Sequence, residues 1–172
     1  MGIDEELGHA FVKAYQAAGL KLPKSGKVFV SVKNSDKRAI VSEARTLVQL
    51  VYELLATDGT HRALKSNGIT VSRVNKVYEG RPHIVDMIKN REIALVLNTP
   101  LGKQQRVDDS MIRAAAVTAG MPCITTKAGI SAVVSALTAM HRADYQVRSI
   151  QEHHQTLPNR GVPSPAPKTA KV

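Results

Sequence analysis

Short apolar runs alternate along the chain with longer amphipathic stretches. The runs predict buried strands over residues 28–32, 54–57, 70–74, 93–97 and 123–125. The stretches between them repeat apolar residues at helical spacing, which predicts helices over residues 4–18, 36–51, 62–67, 83–90, 108–120 and 128–140. Asp36 is expected to cap the second helix, and Asp108 or Asp109 to start the fifth. Residues 147–150 predict a last strand, and residues 101–107 a polar loop.

The strands read as continuous apolar runs and alternate with helices, which is typical of a parallel sheet covered on both faces. The predicted fold class is therefore α/β, a doubly wound, mainly parallel five-stranded sheet with helices on both faces. Residues 1–23 form an N-terminal helix and linker, and residues 24–154 form the domain. The apolar stripe of the N-terminal helix is expected either to fold back on the sheet or to drive self-association. Residues 155–172 are proline-rich and basic, which predicts a disordered tail.

Composition narrows the class of protein. Only 3% of the 172 residues are aromatic and none is Trp, so the core is expected to be aliphatic. Cys123 is the single cysteine; it excludes an internal disulfide and any Cys/His metal spacing, and it fits a reducing cytoplasm. The start, Met1-Gly2-Ile3-Asp4-Glu5-Glu6, is too acidic for a signal peptide, and no apolar run is long enough to span a membrane.

A formal net charge of +10 suggests an anionic partner. Nucleic acid is one candidate, but single-strand binders use stacking aromatic residues that this chain lacks, so we expect no nucleic-acid partner. A small anionic ligand is the second candidate, and a merely solvated basic surface is the third. A salt-sensitive gel shift would support the first candidate.

One stretch, Ala56-Thr57-Asp58-Gly59-Thr60, joins a predicted strand to a predicted helix. The first N–H groups of a helix lack internal partners and its dipole is positive there, so such a turn can bind an anion. Gly59 lets a ligand approach the backbone, and the two threonines add hydroxyl donors. The alternative is an ordinary turn in which Asp58 or Thr60 caps the helix.

Ligands of open α/β sheets bind outside the carboxyl ends of the strands. The residues that follow the five predicted strands are mostly hydroxyls, amides and cations, which suit a phosphate: Ser31, Lys33, Lys37; Thr57, Gly59, Thr60; Asn75, Lys76, Arg81; Asn98, Thr99; Thr125, Thr126, Lys127. Candidate catalysts are few. Asp58 could serve as a base or a cap, and His83 is expected to cap a helix, so binding is favoured over chemistry.

The string Val74-Asn75-Lys76-Val77-Tyr78-Glu79-Gly80-Arg81-Pro82-His83-Ile84 closely resembles the methylglyoxal-synthase-like domain that ends the large subunit of carbamoyl-phosphate synthase. Supporting pieces are Ser31-Val32-Lys33, Asp36-Lys37, Ala56-Thr57-Asp58-Gly59-Thr60 and Asn98-Thr99. The likeness covers residues 1–154. Its first residues, Met1-Gly2-Ile3-Asp4, look like the end of the ATP-binding part that precedes the domain.

The resemblance implies an allosteric domain that binds inosine or uridine monophosphate and tunes carbamoyl phosphate synthesis for pyrimidines and arginine. It implies no cofactor, and no catalysis by this chain alone, because no ATP-binding or glutaminase sequence is present. The implied partners are the ATP-binding portion and, through it, the glutaminase subunit; apart from the resemblance, a second copy of the chain is a further candidate partner. The family's phosphate pocket carries over to Lys37, Thr57, Thr60, Lys76 and Asn98. Ser31, Arg81 and Thr99 are further candidates.

Two departures from the family pattern stand out. Pro100 replaces a threonine donor of enteric members, and Cys123-Ile124-Thr125 replaces a Tyr-Asp-Thr contact of ornithine-responsive members, so we expect no ornithine binding. The alternative function is a methylglyoxal synthase-type lyase acting on dihydroxyacetone phosphate. That enzyme resembles this chain in fold and phosphate pocket but needs an aspartate in the loop that here reads Glu79-Gly80-Arg81-Pro82-His83.

Overall fold

The computed structural model describes residues 1–100 and 106–156 and contains seven α-helices and five strands within them. In chain order these are α1 (Leu7–Ala17), β1 (Lys27–Ser31), α2 (Ile40–Gln49), β2 (Glu53–Ala56), α3 (Asp58–Lys65), β3 (Ser72–Arg73), α4 (Ile84–Lys89), β4 (Ile93–Asn98), α5 (Arg106–Thr118), β5 (Cys123–Ile124), α6 (Lys127–Arg142) and α7 (Ile150–Thr156). A short 3-10 turn, Asn34–Asp36, follows β1.

The five strands form one sheet in the order β3-β2-β1-β4-β5, and every pairing is parallel. β1 lies at the centre, where Phe29 pairs with Leu55 of β2 on one side and with Val96 of β4 on the other. The chain first moves outward from β1 to β3 and then restarts on the other side of β1 with β4. The predicted doubly wound parallel sheet is confirmed.

Alternate side chains of each strand point to opposite faces of the sheet and belong to two separate apolar clusters. Val28, Val30 and Leu95 lie on the face covered by α1, α2, α3 and α6, whereas Phe29 and Val96 lie on the face covered by α4 and α5. Right-handed crossovers place helices on these faces in this way, because the direction of travel across the sheet reverses after β3. The core is aliphatic, as the composition predicted.

α1 folds back onto the domain and packs against α6. Val12 is fully buried in the larger cluster, and Gly8 sits so close to α6 that a Cβ there would lie 2.7 Å from the Ser135 carbonyl oxygen and 2.8 Å from the Ala139 Cβ. The apolar stripe of this helix predicted either such packing or self-association. Leu7, on the same helix, stays 69% exposed.

Two predicted helix starts are wrong. Asp36 does not cap α2: it ends the 3-10 turn, and the chain turns on through residues 37–39 until α2 begins after Ala39. α3 begins at Asp58, four residues earlier than predicted, because the Thr57 carbonyl accepts from the N–H groups of both Thr60 and His61. Neither Asp58 nor Thr60 is the N-cap; Thr57 occupies that position.

Other boundaries also differ. α2 ends at Gln49 and not at Val51, which has a positive φ of 66° and is exposed. β3 shrinks to two residues at the sheet edge, and α5 begins at Arg106 and not at Asp108 or Asp109. Residues 101–105 of the predicted polar loop lie outside the described residues, and residues 106–107 belong to α5.

The predicted last strand over residues 147–150 is wrong, since α7 begins at Ile150. Ser149 and Glu152 form a capping box: the Ser149 N–H donates to Glu152 Oε2 at 2.6 Å, and the Glu152 N–H donates to Ser149 Oγ at 3.2 Å. Val147 is exposed and pairs with no strand of the described chain. The predicted disordered tail lies outside the described residues from residue 157 onward.

No helix within residues 1–100 and 106–156 is both long and apolar enough to cross a membrane.

Candidate functional site

The strand order reverses at β1 and β4, and a crevice is expected outside the carboxyl ends of the strands at that point. Polar side chains are buried there although buried hydroxyls and amides are costly without partners. They follow β1, β2 and β4 in the chain, and each is at most 3% exposed: Ser31, Thr57, Thr60, Asn98, Thr99, Asp109. We call this set of residues the carboxyl edge, and it includes most of the predicted site residues.

Hydroxyl groups tie β1 to the turn after β2. Ser31 Oγ and Thr57 Oγ1 lie 3.2 Å apart, and the Val32 N–H donates to Thr60 Oγ1 at 3.2 Å. The Thr60 hydroxyl thus accepts from the backbone, which leaves its own proton available to donate. Thr57 makes no cap hydrogen bond with its side chain, so its hydroxyl is not used to close the start of α3.

The start of α3 presents backbone donors and a cation close together. Its first N–H groups, at Asp58 and Gly59, precede the internal hydrogen bonds of the helix, and the dipole is positive here. Lys37 Nζ lies 2.8 Å from the point where a Cβ on Gly59 would stand. A side chain at this position would require the ammonium group to shift, so Gly59 allows this close approach.

β4 supplies the next group of contacts. The Thr99 N–H donates to the Ser31 carbonyl at 3.0 Å, and Thr99 Oγ1 accepts from the Lys33 N–H at 3.1 Å. Asn98 Nδ2 donates to Asp109 Oδ1 at 3.3 Å, whereas Asn98 Oδ1 is buried and has no hydrogen-bond partner among the described residues. Asn98 therefore presents an acceptor, and Thr99 acts within the protein.

Lys76 acts electrostatically on Asp108, which lies in the first turn of α5. Burial, as the largest cause, raises the pKa of Asp108; the Lys76 ammonium opposes the shift, and Asp109 and Glu79 add to it. Asp108 Oδ1 is buried without a hydrogen-bond partner within residues 1–100 and 106–156. The Lys76 N–H donates to Glu79 Oε2 at 3.0 Å, which folds the loop after β3 back on itself.

The sequence prediction missed Asp109 and Asp108 as site residues and treated them only as a helix start. The available signal was position: α5 follows β4, so its first turn returns to the carboxyl edge. The hydrogen bond of Asp109 with Asn98 and the electrostatic influence of Lys76 on Asp108 depend on the crossover geometry, which sequence spacing does not contain.

Some predicted residues have other roles. Arg81 is 81% exposed and its Nε lies 3.9 Å from Asp86 Oδ2, so the structure does not bring it into the buried cluster. His83 caps α4, as expected: Nδ1 accepts from the Asp86 N–H at 3.3 Å, and Asp86 Oδ2 accepts from the His83 N–H at 3.2 Å. Thr126 caps α6 by accepting from the Gly129 N–H at 3.1 Å.

The arrangement suits anion binding better than catalysis. Lys37 is a half-buried cation beside the start of α3, and Lys76 is a second half-buried cation in the loop after β3. Together with the hydroxyl groups of the carboxyl edge, these cations match a phosphate. Asp58 pairs with Arg62, and its Oδ1 lies 3.9 Å from Arg73 Nε, so this carboxylate is held by cations. Burial raises the pKa of the Cys123 thiol, which lowers its reactivity.

Solved structures show the same fold. A methylglyoxal synthase from Elizabethkingia anophelis NUHP1 superposes over 66% of this chain and 80% of its own, with a TM-score of 0.53 and 20% identity. A structure of ForH superposes over the same shares, with a TM-score of 0.51 and 24% identity.

Curated relatives are more similar in sequence. The chain is 46% identical over 154 residues to the carbamoyl phosphate synthase large chain of Rhodopirellula baltica, which covers 90% of this chain and 14% of that protein. The large chain of Archaeoglobus fulgidus is 45% identical over 156 residues, again 90% of this chain and 14% of that protein. The chain thus spans about a seventh of the length of these relatives.

The family model described as the MGS-like domain matches residues 39–125, which is about half of the chain. The match covers most strands of the sheet, and it also covers α3 and the loop after β3. With the shared fold and the carbamoyl phosphate synthase relatives, this match shows that the chain belongs to the family of MGS-like domains.

Proposed function

We propose that this chain is the allosteric regulatory domain of a carbamoyl-phosphate synthase large subunit and that it binds a nucleoside monophosphate. One observation carries the proposal: buried hydroxyl groups converge with Lys37 on the start of α3 at the carboxyl edge. The half-buried Lys37 lies beside the free N–H groups at the start of α3, and this combination of a cation and helix donors favours an anion. A phosphate dianion satisfies the donors and neutralises Lys37 and Lys76.

Each group has a role in this proposal. The N–H groups of Asp58 and Gly59 donate to phosphate oxygens, and the hydroxyls of Thr57 and Thr60 add two donors. Lys37, beside Gly59, balances one charge, and Lys76 balances the other. Because Asn98 already donates its amide to Asp109, its free Oδ1 accepts from a ribose hydroxyl or a base N–H.

The regulatory role rests on the carbamoyl phosphate synthase relatives, of which the chain matches about a seventh. The effector we propose is inosine or uridine monophosphate, with no cofactor in this domain. The partners we propose are the ATP-binding portion of the synthase and, through it, the glutaminase subunit, in the cytoplasm. The domain then tunes carbamoyl phosphate synthesis for pyrimidine and arginine formation.

A lyase acting on dihydroxyacetone phosphate is not favoured. The loop after β3 offers only Glu79 as a carboxylate, and this exposed side chain accepts from the Lys76 backbone. A positioned base contributes about 10²–10⁴-fold to such proton transfers. We expect no methylglyoxal or phosphate release above that of a Lys37→Ala variant, and clear turnover would overturn the regulatory proposal.

Calorimetric titration of the full chain with uridine or inosine monophosphate tests the binding claim. Lys37→Ala should weaken binding by about tenfold or more, since a charge-assisted hydrogen bond contributes about 1.5–3 kcal/mol. Lys65→Ala removes an exposed lysine from the other end of α3 and serves as the matched control. Equal losses for both variants would mean that the effect is one of net charge and not of the pocket.

A further inference from the structure

A groove between α4 and α5 lies outside the carboxyl edge. It encloses about 490 Å³, within the range of about 300–1,000 Å³ typical of small-molecule sites, which are mostly apolar with a few polar groups. Val85 of α4 and Met111, Ala114 and Ala115 of α5 line it.

The groove exists because α5 presents short side chains beside α4. Ala114 and Ala115 follow the buried Ile112, which anchors the helix to the sheet. Met111 of α5, which lines the groove, is 40% exposed. This helix face therefore shows apolar surface that the described residues do not cover.

The two basic residues of the groove stand at one end of it. α4 and α5 each precede a strand of the parallel sheet, so both run from the carboxyl edge towards the opposite, amino edge. Lys89 is the last residue of α4, and Arg91 follows two residues later. Both cations therefore lie at the amino edge, away from the proposed phosphate pocket, while Met111 lies towards the carboxyl edge.

Neither cation is neutralised by a neighbour in the described chain. Within residues 1–100 and 106–156 no ion pair involves Lys89 or Arg91. A ligand that matches the groove therefore has an anionic group at this end and a hydrocarbon chain against the apolar walls.

We propose that the groove binds an amphiphilic organic anion, with its carboxylate between Lys89 and Arg91 and its apolar chain lying along α5 towards Met111. The polarity of the groove, charged at one end and apolar along its length, carries this assignment. The proposal is independent of the phosphate pocket, which lies at the other edge of the sheet.

Decanoate, kept below the concentration at which it forms micelles, is the probe. Titration of the full chain in excess inorganic phosphate, followed by calorimetry and by amide chemical shifts, should show saturable binding with shifts confined to α4 and α5. The double variant Lys89→Gln, Arg91→Gln should weaken decanoate binding about tenfold or more, because each charged hydrogen bond contributes about 1.5–3 kcal/mol. Decanol, which lacks the charge, should bind wild type and double variant alike.

Ala114→Phe fills the groove from an exposed position and should abolish decanoate binding without lowering the melting temperature. Lys65→Gln, which removes one exposed positive charge elsewhere, is the control for net charge and should bind as wild type. Absent binding, equal affinity for decanoate and decanol, or equal losses for Lys65→Gln and the double variant would overturn the proposal. A change in sedimentation caused by Ala114→Phe would assign the groove to a protein contact and would also overturn it.

Discussion

The carboxyl edge and the contact between the two ends of the described chain use polar groups in opposite ways. At the carboxyl edge, Thr57, Thr60 and Asn98 are almost fully buried, and Asn98 Oδ1 has no hydrogen-bond partner among the described residues. At the terminal contact, Arg142 pairs with Glu6 and Arg148 pairs with Glu5 at 3.3 Å, all on partly exposed side chains. Beneath these pairs, the contact is apolar.

This difference distinguishes buried polar groups that are placed to bind a ligand from exposed charged groups that only pair with each other. Exposed ion pairs contribute about 0–1 kcal/mol and need no further partner. Buried donors and acceptors without partners destabilise the fold, so a domain retains them where a ligand completes them. The carboxyl edge is therefore the candidate binding site, whereas apolar packing stabilises the terminal contact.

The largest effect should come from removing α1. A chain that begins at Lys24 lacks the buried Val12 and uncovers the apolar surface of α6. We expect the free energy of unfolding to fall by about 3 kcal/mol or more, or the chain to self-associate through the uncovered surface. Chemical denaturation and sedimentation measure the two outcomes. A monomer as stable as the full chain would show that α1 adds nothing.

Two point variants sharpen this test. Val12→Ala should cost about 2 kcal/mol, since it removes buried methyl groups and leaves a cavity. Leu7→Ala, on the same helix but exposed, should stay within about 0.5 kcal/mol of wild type. Similar losses for both would mean that helix propensity, and not burial, decides the contact.

Next in size is Thr60→Ala at the carboxyl edge. It removes the acceptor of the Val32 N–H and leaves that buried donor unpaired, which costs about 1–3 kcal/mol in the free energy of unfolding. Thr60→Ser keeps the hydroxyl and should recover most of the loss. A Thr60→Ala chain as stable as wild type in urea would contradict the assigned hydrogen bond.

Much of this could be predicted from the sequence. β1 and β4 are strong apolar runs, so these strands were predictable, and the residue types of the turn through Gly59 were enough to single out the carboxyl edge as the candidate site. The failures occurred where tertiary contacts decide. Asp109 joins the site only because a crossover returns α5 to the edge, and Val147 looks β-forming but has no strand to pair with. The capping box at Ser149 was visible in the sequence and was missed.

A smaller effect should follow from Asp108→Asn. Burial raises the folded-state pKa of this carboxyl group, so its ionisation destabilises the fold once the pH exceeds its unfolded value. Asp108→Asn should therefore raise the melting temperature at pH 7, and this advantage should vanish as the pH falls below the ordinary aspartate range. A melting difference that is the same at pH 3 and pH 7 would contradict the proposed burial.

The smallest effect should come from Arg148→Ala. This exposed residue pairs with Glu5, so its loss should cost no more than about 0.5 kcal/mol, and less in 1 M salt because exposed pairs are screened. Thermal melts at two salt concentrations measure both values. A loss above about 1 kcal/mol would show that ion pairs, and not the packing of α1, hold the two ends together.

The most direct test of the central claim is a comparison of melting temperatures with nucleoside monophosphates and with their nucleosides. A ligand at one hundred times its dissociation constant stabilises the fold by about 2.7 kcal/mol. For a chain of this size we expect an increase of several degrees, at about 2–4 °C per kcal/mol. Inosine or uridine monophosphate should produce this shift, and inosine or uridine a much smaller one. Equal shifts from monophosphate and nucleoside would contradict a phosphate pocket at the carboxyl edge.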